Sequence, residues 1–348
     1  MSRKERCIVR RVTEETTLRE VIEAAGMESY AYLVDPNMKP DADAGEEERK
    51  LWDEVLRGRS FGELTVAETQ KLFSSWNVPS MVEGFQYLLE RTQQGKLVYP
   101  IRSPEEEAKM GENKPVIMAF PVEKKSPFVL VCPGGGYGNV CSIVEGFPIA
   151  KALNELGYGA FILYYRVGEQ AKAPNPQDDV ARAVGFLLDR AEEFRLEPEG
   201  YGILGFSAGG HLAASFGTES LGFKKYGLPK PGAMILGYPV ITMKDATHGG
   251  SRQNLLGKER EDDEACRRQF SIEEQVTAEF PRTYVWQCKE DNLVPAVNSR
   301  LLTERLSAFG ISYAHEVFPG EDHGWGLGTG TAAEGWVKRA VDFCFGMR

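Results

Sequence analysis

The chain has 348 residues, of which 42% are hydrophobic and 26% charged, and its formal net charge is −10. These proportions exclude a chain that is disordered throughout, a collagen-like repeat and a polytopic membrane protein. An acidic surface repels phosphates, so nucleic-acid binding is also disfavoured, and the short basic cluster at residues 3–11 is interpreted as a solvated terminus. No run approaches the roughly 18 apolar residues that a membrane span needs, and residues 1–15 lack a signal-peptide core. We therefore expect a cytoplasmic protein with no membrane partner.

Residues 1–110 are predicted to form an N-terminal helical region. Three segments fit the capping box, in which a hydroxyl and a carboxylate three residues later satisfy free backbone amides at a helix N-terminus. These segments begin at Thr17, Thr65 and Ser80. A further helix is predicted at residues 46–57, after a polar loop at residues 35–48. The region carries no catalytic motif, so we expect a cap or packing element whose apolar faces are buried on the rest of the chain or on a second copy in a homo-oligomer.

From residue 111 to residue 348 the pattern changes to alternating strands and helices. Strands are predicted at residues 116–122, 128–132, 160–165, 202–206, 233–240, 283–288 and 312–318. Helices are predicted at residues 145–156, 176–194, 208–216, 296–309 and 332–345. This alternation predicts an α/β fold with a mostly parallel sheet covered by helices, and a domain boundary between residues 110 and 111. The segment 243–280 is predicted to be either a lid or substrate wall over the site, or an excursion that only packs.

Cysteine and histidine are too few and too dispersed to indicate a metal site. The six cysteines form no C-x-x-C pair and are expected to be free thiols. The four histidines show neither H-x-x-x-H nor H-E-x-x-H spacing. We therefore expect no metal and no other cofactor.

Residues 205–209 read Gly-Phe-Ser-Ala-Gly, where a predicted strand meets a predicted helix. In this setting G-x-S-x-G is typical of a nucleophile elbow, a tight turn that presents the serine hydroxyl at the carboxyl end of a sheet. Ser207 is therefore the candidate nucleophile. The alternative is a turn of small residues that only pack together.

A serine hydroxyl needs a general base to become a good nucleophile. His323 is the candidate, because it alone lies both late in the chain and in a loop that follows a strand. His211 shares the helix of Ser207 and is expected to be structural, and His315 lies within a predicted strand. His248 lies in the 243–280 segment and is a candidate substrate contact.

The base must in turn be oriented by an acid. Asp291 follows the predicted strand at residues 283–288 and is the preferred candidate, with the neighbouring Glu290 as the alternative, since spacing alone does not rank them. The order Ser207, Asp291, His323 along the chain is that of an α/β-hydrolase.

The transition state needs donors for its developing negative charge. Gly134, Gly135 and Gly136 follow an early strand, where backbone amides without a neighbouring Cβ can approach an oxyanion. The amide of Ala208, at the start of a helix, is expected to point to the same place. Phosphate binding is disfavoured because the loop lacks both G-K-[ST] and G-x-G-x-x-G.

The chain resembles the acetyl-xylan-esterase-like branch of the α/β-hydrolases, close to the hormone-sensitive-lipase-like esterases. The matching stretches are CPGGGY, NPQDDVARAVGFLLDRAEEF, GFSAGGHLAASFGT, GYPVITM, THGGSRQNLLG, EDNLVP and DHGWGLG. They cover about two-thirds of the chain, and the N-terminal helical region is not part of the family pattern. Pro133 departs from the pattern, because many related esterases carry a histidine there.

The resemblance implies an α/β-hydrolase fold with Ser207 as nucleophile, His323 as general base and Asp291 as the orienting acid. It also implies that the oxyanion hole is formed by the amides of Gly135, Gly136 and Ala208.

We therefore expect a serine esterase that hydrolyses short-chain, mainly acetyl, esters through an acyl-enzyme, with O-acetylated xylo-oligosaccharides or other sugars as substrates. A general short-chain carboxylesterase and a serine peptidase or amidase on the same fold are the alternatives. The expected partner is a small-molecule ester. Besides His248, Tyr137 and Trp325 are expected to contact it, because one follows the oxyanion glycines and the other follows His323 by two residues.

Overall fold

The computed structural model describes residues 11–40, 45–111 and 114–346. The predicted basic cluster, apart from Arg11, and Cys7 lie outside these residues. The strands, in chain order, are β1 (Val98–Pro100), β2 (Val116–Phe120), β3 (Ser126–Cys132), β4 (Gly159–Tyr164), β5 (Leu196–Phe206), β6 (Ala233–Gly237), β7 (Arg282–Cys288) and β8 (Tyr313–Phe318). They form one sheet in the order β1-β2-β4-β3-β5-β6-β7-β8.

The sheet is mostly parallel. Only β1 and β2, and β2 and β4, pair antiparallel, and the remaining pairs are parallel. Strands β2, β3, β4 and β6 are buried at every position, as expected of a sheet covered on both faces. Because the carboxyl ends of the parallel strands meet at one edge, the loops that follow β3, β5, β7 and β8 converge there.

Helices cover this sheet and form most of the N-terminal region. They are α1 (Leu18–Ala25), α2 (Glu46–Leu56), α3 (Val66–Leu72), α4 (Val78–Thr92), α5 (Pro104–Glu107), α6 (Ser142–Glu145), α7 (Phe147–Glu155), α8 (Asn175–Asp189), α9 (Ala191–Phe194), α10 (Ser207–Phe216), α11 (Gly249–Leu256), α12 (Glu264–Phe270), α13 (Ile272–Gln275), α14 (Val297–Ala308) and α15 (Trp336–Phe345). Short 3-10 turns lie at Glu28–Leu33, Phe61–Glu63 and Gly168–Gln170.

The predicted fold class is confirmed, and each strand and helix predicted after residue 111 is present with shifted ends. Two predicted helices are each divided. The helix predicted at residues 145–156 is interrupted at Gly146, where φ is −118°, and the helix predicted at residues 176–194 is interrupted at Arg190, where φ is −112°. Strand β1 was not predicted, because three half-buried residues show no periodic pattern.

Two of the three predicted capping boxes are confirmed, at Thr17 and Thr65. The box at Ser80 is wrong. Helix α4 begins three residues earlier than predicted, with Asn77 as its cap, and the Ser80 amide donates to Asn77 Oδ1 at 2.9 Å. Pro79 explains the shift, because a proline is well accommodated in the first turn of a helix, where its missing N–H costs nothing.

The N-terminal helices pack on the rest of the chain, which is one of the two packings expected from the sequence. The Phe85 ring of α4 lies 5.8 Å from the Phe147 ring of α7, and Gly84 lies against Pro148 of the same helix. The backbone oxygen of Leu33 accepts a hydrogen bond from Ser142 Oγ at 2.7 Å. The domain boundary at residues 110 and 111 stays a prediction.

Candidate active site

Ser207 lies at the sharp turn where β5 ends and α10 begins. Its φ of +52° falls in the left-handed region, which is strained for a residue with a side chain. A Cβ on Gly205 would lie 2.2 Å from the Gly209 oxygen, and a Cβ on Gly209 would lie 2.1 Å from the Cys132 oxygen. The turn therefore requires glycine at both positions of the G-x-S-x-G pattern.

The structure brings His323 and Asp291 to this serine. His323 Nε2 lies 2.8 Å from Ser207 Oγ, and His323 Nδ1 lies 2.8 Å from Asp291 Oδ2. The Asp291 side chain is fully buried, and its Oδ1 accepts the amides of Leu293 at 3.0 Å and Val294 at 2.8 Å. These bonds fix the carboxylate, which holds the imidazole with Nε2 toward the hydroxyl.

Glu290, the alternative acid, does not face the imidazole. Its side chain is exposed and pairs with Lys289 at 2.9 Å, and its backbone amide donates to Gly320. Hydrogen bonding to Lys289 lowers the pKa of the Glu290 carboxyl. The geometry thus distinguishes two adjacent carboxylates that spacing left unranked.

Two further histidines lie away from the serine. His211 is fully buried, with Nδ1 2.8 Å from the Tyr137 hydroxyl and Nε2 2.7 Å from the Phe270 oxygen, and burial lowers its pKa to about 4. His315 Nε2 lies 3.2 Å from Ser299 Oγ, and burial lowers the pKa of His315 also. The expected structural role of His211 agrees with these contacts.

The glycine loop after β3 lies beside Ser207, and a Cβ built on Gly134 would be 2.8 Å from the serine Cβ. Gly135 and Gly136 have positive φ angles of 124° and 62°, and within the described residues their amides donate to no protein acceptor. Ala208 is buried directly after Ser207, at the start of α10. We call the amides of Gly135, Gly136 and Ala208 the oxyanion amides, because they are the candidate donors to a developing oxyanion.

A buried carboxylate that sequence reasoning missed holds this loop in place. Glu145 Oε2 accepts the Gly134 amide at 2.5 Å, and Oε1 accepts the Tyr238 hydroxyl at 2.8 Å. Burial raises the pKa of Glu145, although both hydrogen bonds oppose that shift. No sequence signal distinguishes Glu145 from an ordinary surface glutamate, since it was assigned to the start of an amphipathic helix.

Ser207 and His323 open into a cavity of about 370 Å³. Glu145, Asn292 and Leu293 contribute to its lining. The N-terminal helical region supplies a further part, formed by Leu51, Trp52, Leu72, Phe73, Ser74, Ser75 and Trp76. Sequence reasoning treated these residues as packing, because apolar residues at helical spacing have the same pattern in a core and in a cavity wall.

Of the three predicted substrate contacts, only His248 lines the cavity. Tyr137 is fully buried, with its hydroxyl on His211, so the prediction that its ring flanks the substrate is wrong. Trp325 does not line the cavity either, since its ring packs 6.4 Å from the Trp286 ring, and the same correction applies. Both residues do lie near the site along the chain, as predicted, but their side chains point into the core.

The 243–280 segment both packs and borders the site. Its helices α11, α12 and α13 are partly buried, and Asn254 Nδ2 donates to the Gly136 oxygen at 2.9 Å. His248 caps α11, and its Nδ1 lies 2.9 Å from Ser251 Oγ. The segment therefore contacts the glycine loop through Asn254 and contributes His248 to the cavity lining.

Among residues 11–40, 45–111 and 114–346, no three histidine, cysteine or acidic side chains form a cluster that could hold a metal ion. Within the same ranges, no helix is long and apolar enough to cross a membrane.

The sheet order and the placement of serine, aspartate and histidine after β5, β7 and β8 define an α/β-hydrolase. The BD-FAE family matches residues 117–306, more than half of the chain, and the chain belongs to this family. The structure of an acetyl ester-xyloside bifunctional hydrolase from Caldicellulosiruptor lactoaceticus is similar, with a TM-score of 0.62 and 31% identity over 71% of this chain and 93% of that one.

Two curated relatives extend the comparison. Endo-1,4-beta-xylanase B of Butyrivibrio fibrisolvens is 35% identical over 61% of this chain and 34% of its own length. An acetylxylan esterase of Xylanibacter ruminicola is 32% identical over 63% of this chain and 45% of its own length. The chain thus spans less than half the length of either protein. An ester hydrolase is thus named both among the curated relatives and among the similar structures.

Proposed function

We propose that this chain is a serine esterase that removes acetyl and other short acyl groups, with O-acetylated xylo-oligosaccharides or related sugars as substrates. The observation that carries the proposal is the hydrogen-bonded line from Ser207 Oγ through His323 to Asp291, with both contacts at 2.8 Å. The names of two relatives support the ester and sugar parts, since one is an acetylxylan esterase and another an acetyl ester-xyloside hydrolase.

In the acylation step, Ser207 Oγ attacks the ester carbonyl carbon while its proton moves to His323 Nε2. Asp291 accepts the Nδ1–H and stabilises the imidazolium that forms. The oxyanion amides bind the negative charge on the former carbonyl oxygen, and such donors are worth about 3 kcal/mol each. The bond to the alcohol oxygen then breaks, the alcohol leaves with the proton from Nε2, and the acyl group remains on Ser207.

In the deacylation step, a water molecule takes the position of the alcohol. His323 Nε2 accepts its proton as the water oxygen attacks the acyl carbon, and the oxyanion amides again bind the charge. The bond to Ser207 Oγ breaks, the serine regains its proton, and the carboxylic acid is released. Each step uses only the three catalytic side chains, the oxyanion amides and water.

The test is a substrate panel assayed with purified protein. It compares p-nitrophenyl acetate, butyrate and octanoate, acetylated xylo-oligosaccharides, feruloyl esters and a peptide p-nitroanilide. We expect acetyl esters to be hydrolysed faster than butyryl or longer esters, and acetylated xylo-oligosaccharides to be among the substrates.

Other outcomes separate the alternatives. Hydrolysis of the anilide would favour a peptidase or amidase. Acetyl esterase activity without action on acetylated sugars would favour a general carboxylesterase, and a preference for octanoyl or feruloyl esters would contradict the proposed substrate class.

A further inference from the structure

One wall of the catalytic cavity comes from the N-terminal helical region. We call Leu51, Trp52, Phe73, Ser75 and Trp76 the aromatic wall, since three of these five cavity-lining residues are aromatic. All five lie outside residues 117–306, so the family match does not account for them. The same cavity contains Ser207 and His323, so the wall faces the space in which a substrate would react.

The aromatic wall borders the loop that carries His323. A Cβ built on Gly324 would be 3.4 Å from Ser75 Oγ and 3.8 Å from Trp76 Nε1. Gly324 directly follows His323, whose Nε2 must donate its proton to the departing alcohol oxygen. Ser75 and Trp76 are therefore close to the loop whose histidine protonates the alcohol, and we expect the alcohol part of the ester to bind near them.

The wall combines flat apolar rings with polar hydrogen-bonding groups. The Phe73 and Trp76 rings stack at 4.3 Å with 18° between their planes, and the edge of Trp52 meets Phe73 at 5.8 Å. Within the described residues, no protein oxygen accepts the Trp76 indole N–H, and this N–H is not one of the buried unpaired groups, so it is open to the cavity. A sugar ring fits both features, because it has an apolar C–H face and hydroxyls at its edge.

Two exposed leucines flank the same cavity. Leu51 of the aromatic wall is 40% exposed and Leu293, next to the loop of Asp291, is 43% exposed. Exposed apolar groups gathered around one concave site are typical of a ligand contact surface. The volume of about 370 Å³ is near the lower end of the roughly 300–1,000 Å³ of small-molecule sites, so the cavity suits one or two sugar rings.

We infer that the aromatic wall is the binding subsite for the sugar that bears the ester, with the sugar packed against the cavity-facing edges of these side chains and a sugar hydroxyl accepting the Trp76 N–H. This inference rests on the proposed esterase function and assigns to the N-terminal helical region the selection of the alcohol.

The test compares kcat/KM for acetylated xylotriose with kcat/KM for 2-naphthyl acetate, whose flat alcohol has no hydroxyl to accept a bond from the wall. Trp76→Phe keeps a stacked ring but removes the donor, so we expect its ratio of sugar to naphthyl activity to fall about three- to tenfold. Leu51→Ser should lower sugar kcat/KM about threefold and weaken competitive inhibition by xylotriose. Phe309→Ser is the control, since Phe309 is 41% exposed and lies outside the cavity lining.

The outcomes separate this inference from the esterase proposal. If the wild type hydrolyses both esters and the ratio is unchanged in Trp76→Phe and Leu51→Ser, the subsite is wrong and the esterase proposal stands. Equal losses for naphthyl acetate and sugar also leave the ratio unchanged; they would show that the wall contacts either alcohol without selecting the sugar, and would overturn the sugar assignment. A wild type that hydrolyses neither ester would overturn both.

Discussion

Glu145 and Tyr238 are joined by a hydrogen bond of 2.8 Å that links the glycine loop to the histidine loop. Through its other oxygen Glu145 holds the Gly134 amide, and the Tyr238 hydroxyl accepts the amide of Gly326, three residues after His323, at 3.0 Å. The Tyr238 ring also lies 4.6 Å from the His323 ring. One buried pair therefore positions both the oxyanion amides and the base.

Tyr238→Phe should lower kcat about tenfold with little change in KM, because the loss leaves Glu145 Oε1 and the Gly326 amide without a partner and loosens both loops. Tyr201→Phe is a matched control. Tyr201 is fully buried, and its hydroxyl donates to the Pro229 oxygen away from the site. The Tyr201→Phe variant should have a lower melting temperature and an unchanged kcat. Equal kcat in both variants would show that the Glu145–Tyr238 bond serves stability alone.

Ser207→Ala should lower kcat by about 10⁴-fold or more and abolish labelling by a fluorophosphonate, since it removes the attacking oxygen and nothing else. The control is Ser215→Ala on the same helix, whose hydroxyl donates to the His211 oxygen at 2.7 Å and faces away from the cavity. That variant should keep nearly full activity. Ester hydrolysis at the wild-type rate by Ser207→Ala would end the proposed mechanism.

Asp291→Asn should lower kcat by roughly 10⁴-fold, because an amide in place of the carboxylate favours the wrong imidazole tautomer. Glu290→Gln should change kcat less than twofold, since this neighbouring side chain is exposed and pairs with Lys289. Steady-state kinetics on p-nitrophenyl acetate measure both. A larger loss in Glu290→Gln would reverse the assignment of the acid.

The residues that sequence reasoning located are those fixed by backbone geometry. The turn at Ser207 admits only glycine two positions before and after it, so its pattern is visible in the chain. The loops after β7 and β8 begin at an edge of the sheet that can be predicted from the sequence. Their positions identified His323 as the base and limited the candidate acids to two neighbouring residues. The positions of Glu145 and Trp76 in the site were not predicted. Contacts between segments distant in sequence decide whether a carboxylate or an aromatic ring in a helical pattern lines a site.

His211 should make the protein less stable at acid pH. Burial lowers its pKa to about 4 from an ordinary 6.5, so between these values the unfolded chain binds a proton that the folded chain does not. Stability therefore falls as pH falls through this window, by on the order of 2 kcal/mol between pH 7 and pH 5. Urea unfolding of His211→Asn at the two pH values should show a smaller difference than the wild type. His315→Asn, at a half-buried histidine, should reduce the difference less, and an unchanged difference in His211→Asn would contradict the prediction.

Gly84→Ala should weaken the docking of the N-terminal region on the hydrolase core. The added Cβ would lie 2.8 Å from Pro148 Cγ and 2.9 Å from its backbone nitrogen, and a proline ring on a helix start has little freedom to move. Overpacking of this kind costs about 1–3 kcal/mol, which outweighs the roughly 1 kcal/mol that alanine gains over glycine within a helix. Gly185→Ala in α8 isolates that gain, because nothing lies within 4 Å of its Cβ position. Thermal unfolding should show a lower melting temperature for Gly84→Ala and a higher one for Gly185→Ala, and an increase in both would show that α4 and α7 are not closely packed at this point.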